Sequence, residues 1–296
     1  METIYMSPSG VATYENCPRA YQLDRILKVR TKERSAALGF GGALSSAIDV
    51  FSRSTVTGEF VDPVPVFEAS WADFTVNNVV KYSSKTSDEG LRETGVRLMQ
   101  LFPEAWEREG LTVALDRDGE PMIERKLVVD IGADVRLVTK LDLMAYNRDW
   151  QLTLIDEKSS ARATDIRFSL MGEQLTAYQV AVTAYQEKLG LPPPERLAYW
   201  EMIKRPVPKT NRGEGPSIES IQDVPARSDE DVEAFVLKVQ GIARRVRDRD
   251  FPKTPRMAWN TPCLQCDYLD ICAQRRVDAF TFPSEEAKEA VIKLAA

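Results

Sequence analysis

ERKLVVD (124–130), KLDLMAY (140–146) and LTLIDEKSS (152–160) are strand-like segments in which an acid interrupts apolar sequence. QLTAYQVAVTAYQ (174–186) follows them with the period of a helix. A carboxylate in a strand that otherwise reads as buried is expensive unless something cationic meets it. The first expectation is therefore a divalent metal held by Glu124, Asp142 and Asp156, with Lys158 beside it. Mg2+ or Mn2+ suits such a set, since both take hard oxygen ligands and keep positions for water. The side-chain period of a strand is two, so Asp156 and Lys158 share a face and Glu157 points to the other. On that face Lys158 can orient an attacking water or stabilise charge developing on a phosphoryl group. Taken alone, Asp156 and Lys158 read as an ordinary ion pair and Asp142 as a turn cap. Adding Glu124 and the glutamine helix in this order turns the set into a site. Gln174 and Tyr178 are four apart and share one helical face, although by themselves they read as packing plus a surface amide.

Outward from this centre, Ser7 opens a helix with Pro8 in its first turn, and Pro18, next to Cys17, kinks or divides it. A second helix is expected over 35–53, where Gly39, Gly41 and Gly42 signal close packing or a tight entry. Residues 70–108 are helical in pattern with a break around 83–89. Their aromatic stripes, Trp71 and Phe74 in one and Phe102 and Trp106 in another, read as core before they read as a base-stacking platform. From Leu111 the period changes to a meander of strands, whose second, third and fourth members carry Glu124, Asp142 and Asp156. A long helix over 171–189 stops at Gly190 and the prolines beyond it. RLAYWEMI (196–203) and SIESIQDV (217–224) resume strand character, and residues 228–249 and 285–296 read as helices.

The chain has 296 residues, 43% apolar and 28% charged, as in ordinary globular proteins with room for a large core. It contains no run of roughly 18 apolar residues, and METIYMSPSG lacks the pattern of a signal peptide, so a cytoplasmic protein with no membrane partner is expected. A net charge of -6 argues against nucleic acid, but charge is distributed unevenly. Basic residues gather at Lys204, Arg205, Lys209 and Arg212, and again at Arg244, Arg245, Arg247, Arg249, Lys253 and Arg256. Either group alone is as readily a solvated surface. Histidine is absent, which removes Ser-His and Cys-His nucleophilic mechanisms and histidine-ligated zinc. There is no G-x-x-x-x-G-K-[ST] loop, so no helicase motor is expected.

Asp156-Glu157-Lys158, with Asp142 upstream and Gln174 to Tyr178 downstream, resembles the PD-(D/E)XK nuclease superfamily, in its RecB-like branch. The resemblance makes Asp142 the upstream metal-binding aspartate and places Glu124 where some members supply another acid. It gives Gln174 a part in organising the site or contacting DNA, with Tyr178 in support. The implied fold is α/β, a restriction-endonuclease-like central mixed sheet flanked by helices. One departure stands out: Ser45, in FGGALSSAI (40–48), occupies the place of the histidine usual in that branch, and its hydroxyl is expected to hold at most a metal-bound water.

The chain has four cysteines, Cys17 and the trio Cys263, Cys266 and Cys272, a C-x2-C-x5-C array. In a reducing compartment two disulfides are not expected; by spacing alone zinc is at least an equal candidate to an iron–sulfur cluster, and independent buried thiols are the less favoured alternative because CLQCDYLDIC (263–272) is polar and compact. The resemblance, through AddB-type and CRISPR-associated exonucleases and the run Cys17-Pro18-Arg19, selects a [4Fe-4S] cluster joining the N- and C-terminal helical parts. The implied organisation is an N-terminal helical region (1–110), a nuclease core (111–225) and a C-terminal helix with the three-cysteine region (226–296). The implied activity is that of a metal-dependent DNA exonuclease on single-stranded DNA or free ends, in recombination, repair or end processing, with a recombination or CRISPR-related protein as partner. Two alternatives stand beside it: a non-catalytic DNA-end-binding protein with a degenerate site, which Ser45 favours, and an endonuclease or nickase.

Overall fold

The computed structural model describes residues 2–210, 213–254 and 261–295. They fall into two compact units: Met1–Glu33, Asp130–Val138 and Glu233–Ala296 form the first, and Arg34–Val129 with Thr139–Val232 the second.

In the first unit, β1 (Ile4–Met6) runs parallel to residues 135–137. α1 (Pro8–Asn16) starts where Ser7 accepts the Gly10 N–H at 3.1 Å and Pro8 spends no needed donor. Cys17 is extended and α2 (Pro18–Tyr21) begins afresh, so Pro18 divides the helix, as its missing N–H requires. β2 (Arg30–Thr31) follows, and β3 (Glu33–Ser35) leads out of the unit.

The second unit opens with three long helices. α3 (Ala36–Thr57) is capped by Ser35 and stopped by Gly58 at φ 75°, and α4 (Pro63–Asn77) is capped by Asp62. After β4 (Val79–Lys81), α5 (Asp88–Glu109) runs from the Ser87 cap. α4 begins seven residues before the expected 70, because the Asp62-Pro63 cap lies upstream of the aromatic stripe that signalled the helix. A Cβ on Gly39 would enter the Phe74 ring and one on Gly95 the Phe67 ring, whereas Gly41 and Gly42 face open space. Close packing therefore explains only the first of the three early glycines.

The strands β5 (Thr112–Val113), β6 (Ile123–Asp130), β7 (Val135–Tyr146) and β8 (Leu152–Ser160) come next. β5 and β6 pair with β7, which runs antiparallel to β8. α6 (Arg167–Met171) and α7 (Glu173–Leu189) then cross over to β9 (Arg196–Ile203), parallel to β8 over its whole length. The expected helix over 171–189 is interrupted at Gly172, where a Cβ would collide with the Tyr199 ring and the Phe168 carbonyl. β10 (Ser217–Ile218) and β11 (Gln222–Pro225) add to β9 antiparallel, which gives a mixed sheet with helices against it. One face carries Ile155, Ala198 and Trp200 into the α3–α4–α5 core, where the Phe102 and Trp200 ring centroids are 4.9 Å apart. The aromatic stripes of α4 and α5 are core, with Trp71 and Phe102 fully buried.

α8 (Asp229–Arg247), β12 (Phe280–Thr281) and α9 (Glu285–Ala295) complete the chain. Among the described residues no helix is long and apolar enough to cross a membrane.

Within the first unit, the N-terminal segment through Glu33 and the C-terminal segment from Glu233 are joined by apolar packing and not by a four-cysteine cluster. Leu23, Val29, Ile271, Phe280 and Val291 form one buried cluster, and β12 pairs antiparallel with β2. Tyr14 donates to the Asp250 carbonyl at 2.6 Å, and the Tyr21 ring stacks on Phe251. Cys17, Cys263, Cys266 and Cys272 form no disulfide and line a cavity of about 450 Å3. Among the described residues no three Cys, Asp or Glu side chains form a group that could hold a metal ion, so the expected [4Fe-4S] cluster is corrected. Burial pulls the Cys17 thiol up, but hydrogen bonds from Thr254, Ala20 and Arg19 outweigh it and hold the thiol below its usual range. Cys266 is pushed up, first by burial.

Candidate active site

The β7–β8 ladder runs from Tyr146 opposite Leu152 to Leu143 opposite Ile155. The next pair would set Asp142 against Asp156, and there the strands part. Asp142 Oδ2 accepts the Glu157 N–H at 3.0 Å, so a side chain takes the donor that the ladder gives up. β8 stays in register with β9 through Ser160, which fixes the Asp156–Lys158 segment from its other edge.

Asp156 and Lys158 lie on the face of the sheet that meets α7. Lys158 Nζ is 2.5 Å from Asp156 Oδ2, the ion pair expected of these two residues taken alone. It also donates to Gln174 Oε1 at 3.2 Å, and Gln174 Nε2 donates to the Tyr178 hydroxyl at 2.9 Å. Tyr178 in turn donates to Asp156 Oδ1 at 2.9 Å, which closes a ring of four side chains. In this ring Gln174 must present its carbonyl to Lys158 and its amide to Tyr178, so each donor has one acceptor. Asp142 Oδ1 lies 3.5 Å from the same hydroxyl, and Tyr178 thus stands between the two aspartates. The helical spacing of Gln174 and Tyr178 is what lets both reach across from α7.

Glu124 follows a different course. It has φ 52° within β6, left-handed backbone that a non-glycine residue rarely adopts in a strand. Its Oε1 accepts from Ser45 Oγ of α3 at 3.0 Å, and its Oε2 pairs with Lys140. Ser45, Asp142, Glu157 and Lys158 line one cavity of about 270 Å3. The structure therefore brings together Asp142, Asp156, Lys158, Gln174 and Tyr178, with Ser45 across the cavity, while Glu124 is held by Ser45 and Lys140.

Charge is crowded here. Burial raises the Asp156 carboxyl to about 6, with Lys158 opposing and Asp142 adding to the rise. Asp142 is also raised, by burial first, against the Glu157 N–H and the Lys158 and Lys140 charges. Glu157 is held well above the usual glutamate range by burial and then by Asp142, Asp156 and Asp49. Burial and the two aspartates push the Tyr178 hydroxyl far upward, so it remains a donor.

Among the described residues no group of three acids is placed to hold a metal ion, and the preassembled Glu124–Asp142–Asp156 site for Mg2+ or Mn2+, with Ser45 at its edge, is corrected. The physical reason is local: Lys140 and Ser45 occupy Glu124, while Lys158 and Tyr178 occupy Asp156.

Sequence reasoning left aside Glu157, Lys140 and Tyr199. Period two sends Glu157 to the α3 face, yet that face borders the same cavity. Tyr199 stands opposite Asp156 in the β8–β9 register, and Lys158 Nζ lies 5.9 Å from its ring centroid. Of the first basic group, Lys204 Nζ sits 3.5 Å from Ser159 Oγ and Arg205 pairs with Glu214. Arg212, and Arg256 of the second group, lie outside the described residues.

Residues 5–273 match the family model of the PD-(D/E)XK nuclease superfamily. The chain belongs to that superfamily. Asp142 and the Asp156–Lys158 pair, at the parting of two central strands, lie within the matched span of this PD-(D/E)XK chain. The match names the superfamily and no branch. The RecB-like branch, expected from the Asp156–Lys158 and Gln174–Tyr178 motifs, is corrected to the superfamily alone, and the four-cysteine iron–sulfur cluster expected with it is not formed among the described residues. No curated protein matches the chain. Among solved structures, the crystal structure of SSO0001 is similar at 11% identity and a TM-score of 0.39, over 94% of this chain and 89% of that one.

Proposed function

We propose that the chain is a deoxyribonuclease that hydrolyses phosphodiester bonds at Asp142, Asp156 and Lys158, as an exonuclease on single-stranded ends in recombination, repair or end processing. The observation that supports this reading is the Tyr178 hydroxyl between two raised carboxylates with Lys158 alongside. Membership in a nuclease superfamily supports the reaction class. Tyr178 and Gln174 hold the carboxylate and the ammonium in one orientation, so little reorganisation is needed when a phosphate arrives. Lys158 is half exposed and can leave Asp156 for a phosphate oxygen, where it would stabilise the charge that develops during attack by water. Cleavage is expected to need an added divalent cation, since two carboxylates and a substrate phosphate together offer enough hard oxygen ligands. Such a cation supplies charge neutralisation and Lewis acidity.

The test compares wild type and Lys158→Ala on end-labelled linear and circular single-stranded DNA, with and without added magnesium or manganese. Cation-dependent shortening of the linear strand alone, reduced about 100-fold or more in the variant, supports the exonuclease. Cleaved circles point to an endonuclease. A second reading, a DNA-end-binding member of a recombination or CRISPR-related assembly, draws on Ser45 and Lys140 being committed to Glu124. Binding of ends without cleavage under any of these conditions would select it.

A further inference from the structure

Beside the carboxylate cavity lies a second pocket of about 390 Å3, and Lys158 and Ser159 belong to the walls of both. Its wall also includes Phe168 and Met171 from α6 and Tyr199 and Glu201 from β9. α6 and the residue before it expose apolar side chains in close succession: Phe168 is 54% exposed, Met171 70%, and Ile166 and Leu170 also face solvent. Polar residues at these positions would cost nothing, so a cluster of this kind beside a charged cleft marks a contact surface.

Glu201 supplies the polar element. It is buried at 9% exposure, and its Oε2 accepts both the Thr164 N–H at 2.7 Å and the Thr164 hydroxyl at 2.9 Å. A fixed carboxylate repels a phosphate but accepts from an amino group. The pocket therefore suits something flat and apolar with a donor at its edge, tethered to an anion that sits on Lys158. We propose that it takes one unpaired nucleobase of single-stranded DNA, next to a phosphate that sits on Lys158 at the edge of the carboxylate cavity. The base stacks against the Phe168 and Tyr199 rings, and Glu201 favours bases that carry an exocyclic amino group, such as cytosine, over thymine. A base still paired in a duplex cannot enter, which makes the pocket a selector for single strands. This rests on the nuclease reading for the position of the phosphate.

The test measures equilibrium binding, by fluorescence anisotropy in chelator, of short labelled single strands: oligo-dC, oligo-dT and an abasic backbone of equal length. Oligo-dC is expected to bind about tenfold or more tighter than the abasic backbone, with oligo-dT between. Phe168→Ala, at an exposed position that leaves the core intact, should erase most of that difference, and Met171→Ala part of it. Glu201→Gln can keep the Thr164 contacts through its carbonyl and turn a donor to the pocket, so it should move the preference toward thymine. Equal binding of abasic and base-bearing strands by wild type, or base dependence unchanged in Phe168→Ala, overturns the proposal. Cleavage is scored separately. Base-dependent binding without cleavage supports the pocket and rejects the nuclease reading, and cleavage without base dependence does the reverse.

Discussion

Asp142 accepts the backbone N–H of Glu157 at 3.0 Å, at the first position beyond the β7–β8 ladder. One carboxylate thus does two jobs: it caps a strand where the sheet opens and it lines the cavity that the opening creates. The two jobs separate by mutation. Asp142→Asn keeps an acceptor for the Glu157 N–H, whereas Asp142→Ala leaves it unpaired. Both should lose cleavage, but Asp142→Ala should be the less stable by about 1–3 kcal/mol. Urea midpoints of the two variants check this, and equal midpoints would show that water replaces the lost acceptor.

Tyr178→Phe removes one hydroxyl from the ring formed by Asp156, Tyr178, Gln174 and Lys158. Asp156 loses the donor that helps hold its carboxyl down, so its pKa should move further up. The acid limb of the cleavage profile should follow in the same direction, with activity lowered about 10- to 100-fold at neutral pH. A drop in rate with the acid limb unmoved would mean that Tyr178 matters only as packing.

Asp156 also links stability to pH. Its folded-state carboxyl sits at about 6, above the usual 3.8. Between those values the folded protein binds more protons than the unfolded chain, so this group stabilises the fold fully below about pH 4. That contribution is lost as pH rises through about 6. The loss is on the order of 2–3 kcal/mol. Asp142 and Glu157, both raised, act with the same sign. Asp156→Asn should therefore be more stable than wild type at about pH 8, with the gap closing toward about pH 4. Denaturation midpoints across that range measure it, and a gap that widens on acidification would contradict the assignment.

Two helix glycines should answer substitution in opposite ways. Gly95→Ala drives a methyl group into the buried Phe67 ring and should cost about 1–3 kcal/mol or more. Gly42→Ala meets open space in α3 and should gain about 0.5–1 kcal/mol from reduced backbone freedom in the unfolded chain. Thermal melts of the two variants decide this, and parallel shifts would mean that helix propensity outweighs packing at both sites.

The amino-acid sequence by itself determined whatever depends on local period. Alternation along 152–160 put Asp156 and Lys158 on one face and Glu157 on the other, and a four-residue step put Gln174 beside Tyr178. Helix caps at Ser35 and Gly190 and the break at Pro18 are equally local, because neighbouring backbone groups set them. Only the tertiary structure decided which of these side chains meet. The left-handed backbone at Glu124 sends that acid to Ser45 and Lys140, and no periodicity announces such a reversal. Four cysteines in a suggestive spacing line one cavity without forming a metal-holding group, while the apolar cluster around Leu23, Phe280 and Val291 joins those segments. Spacing along a chain restricts which side chains can share a face, but the distance between faces is set by the packing of whole elements.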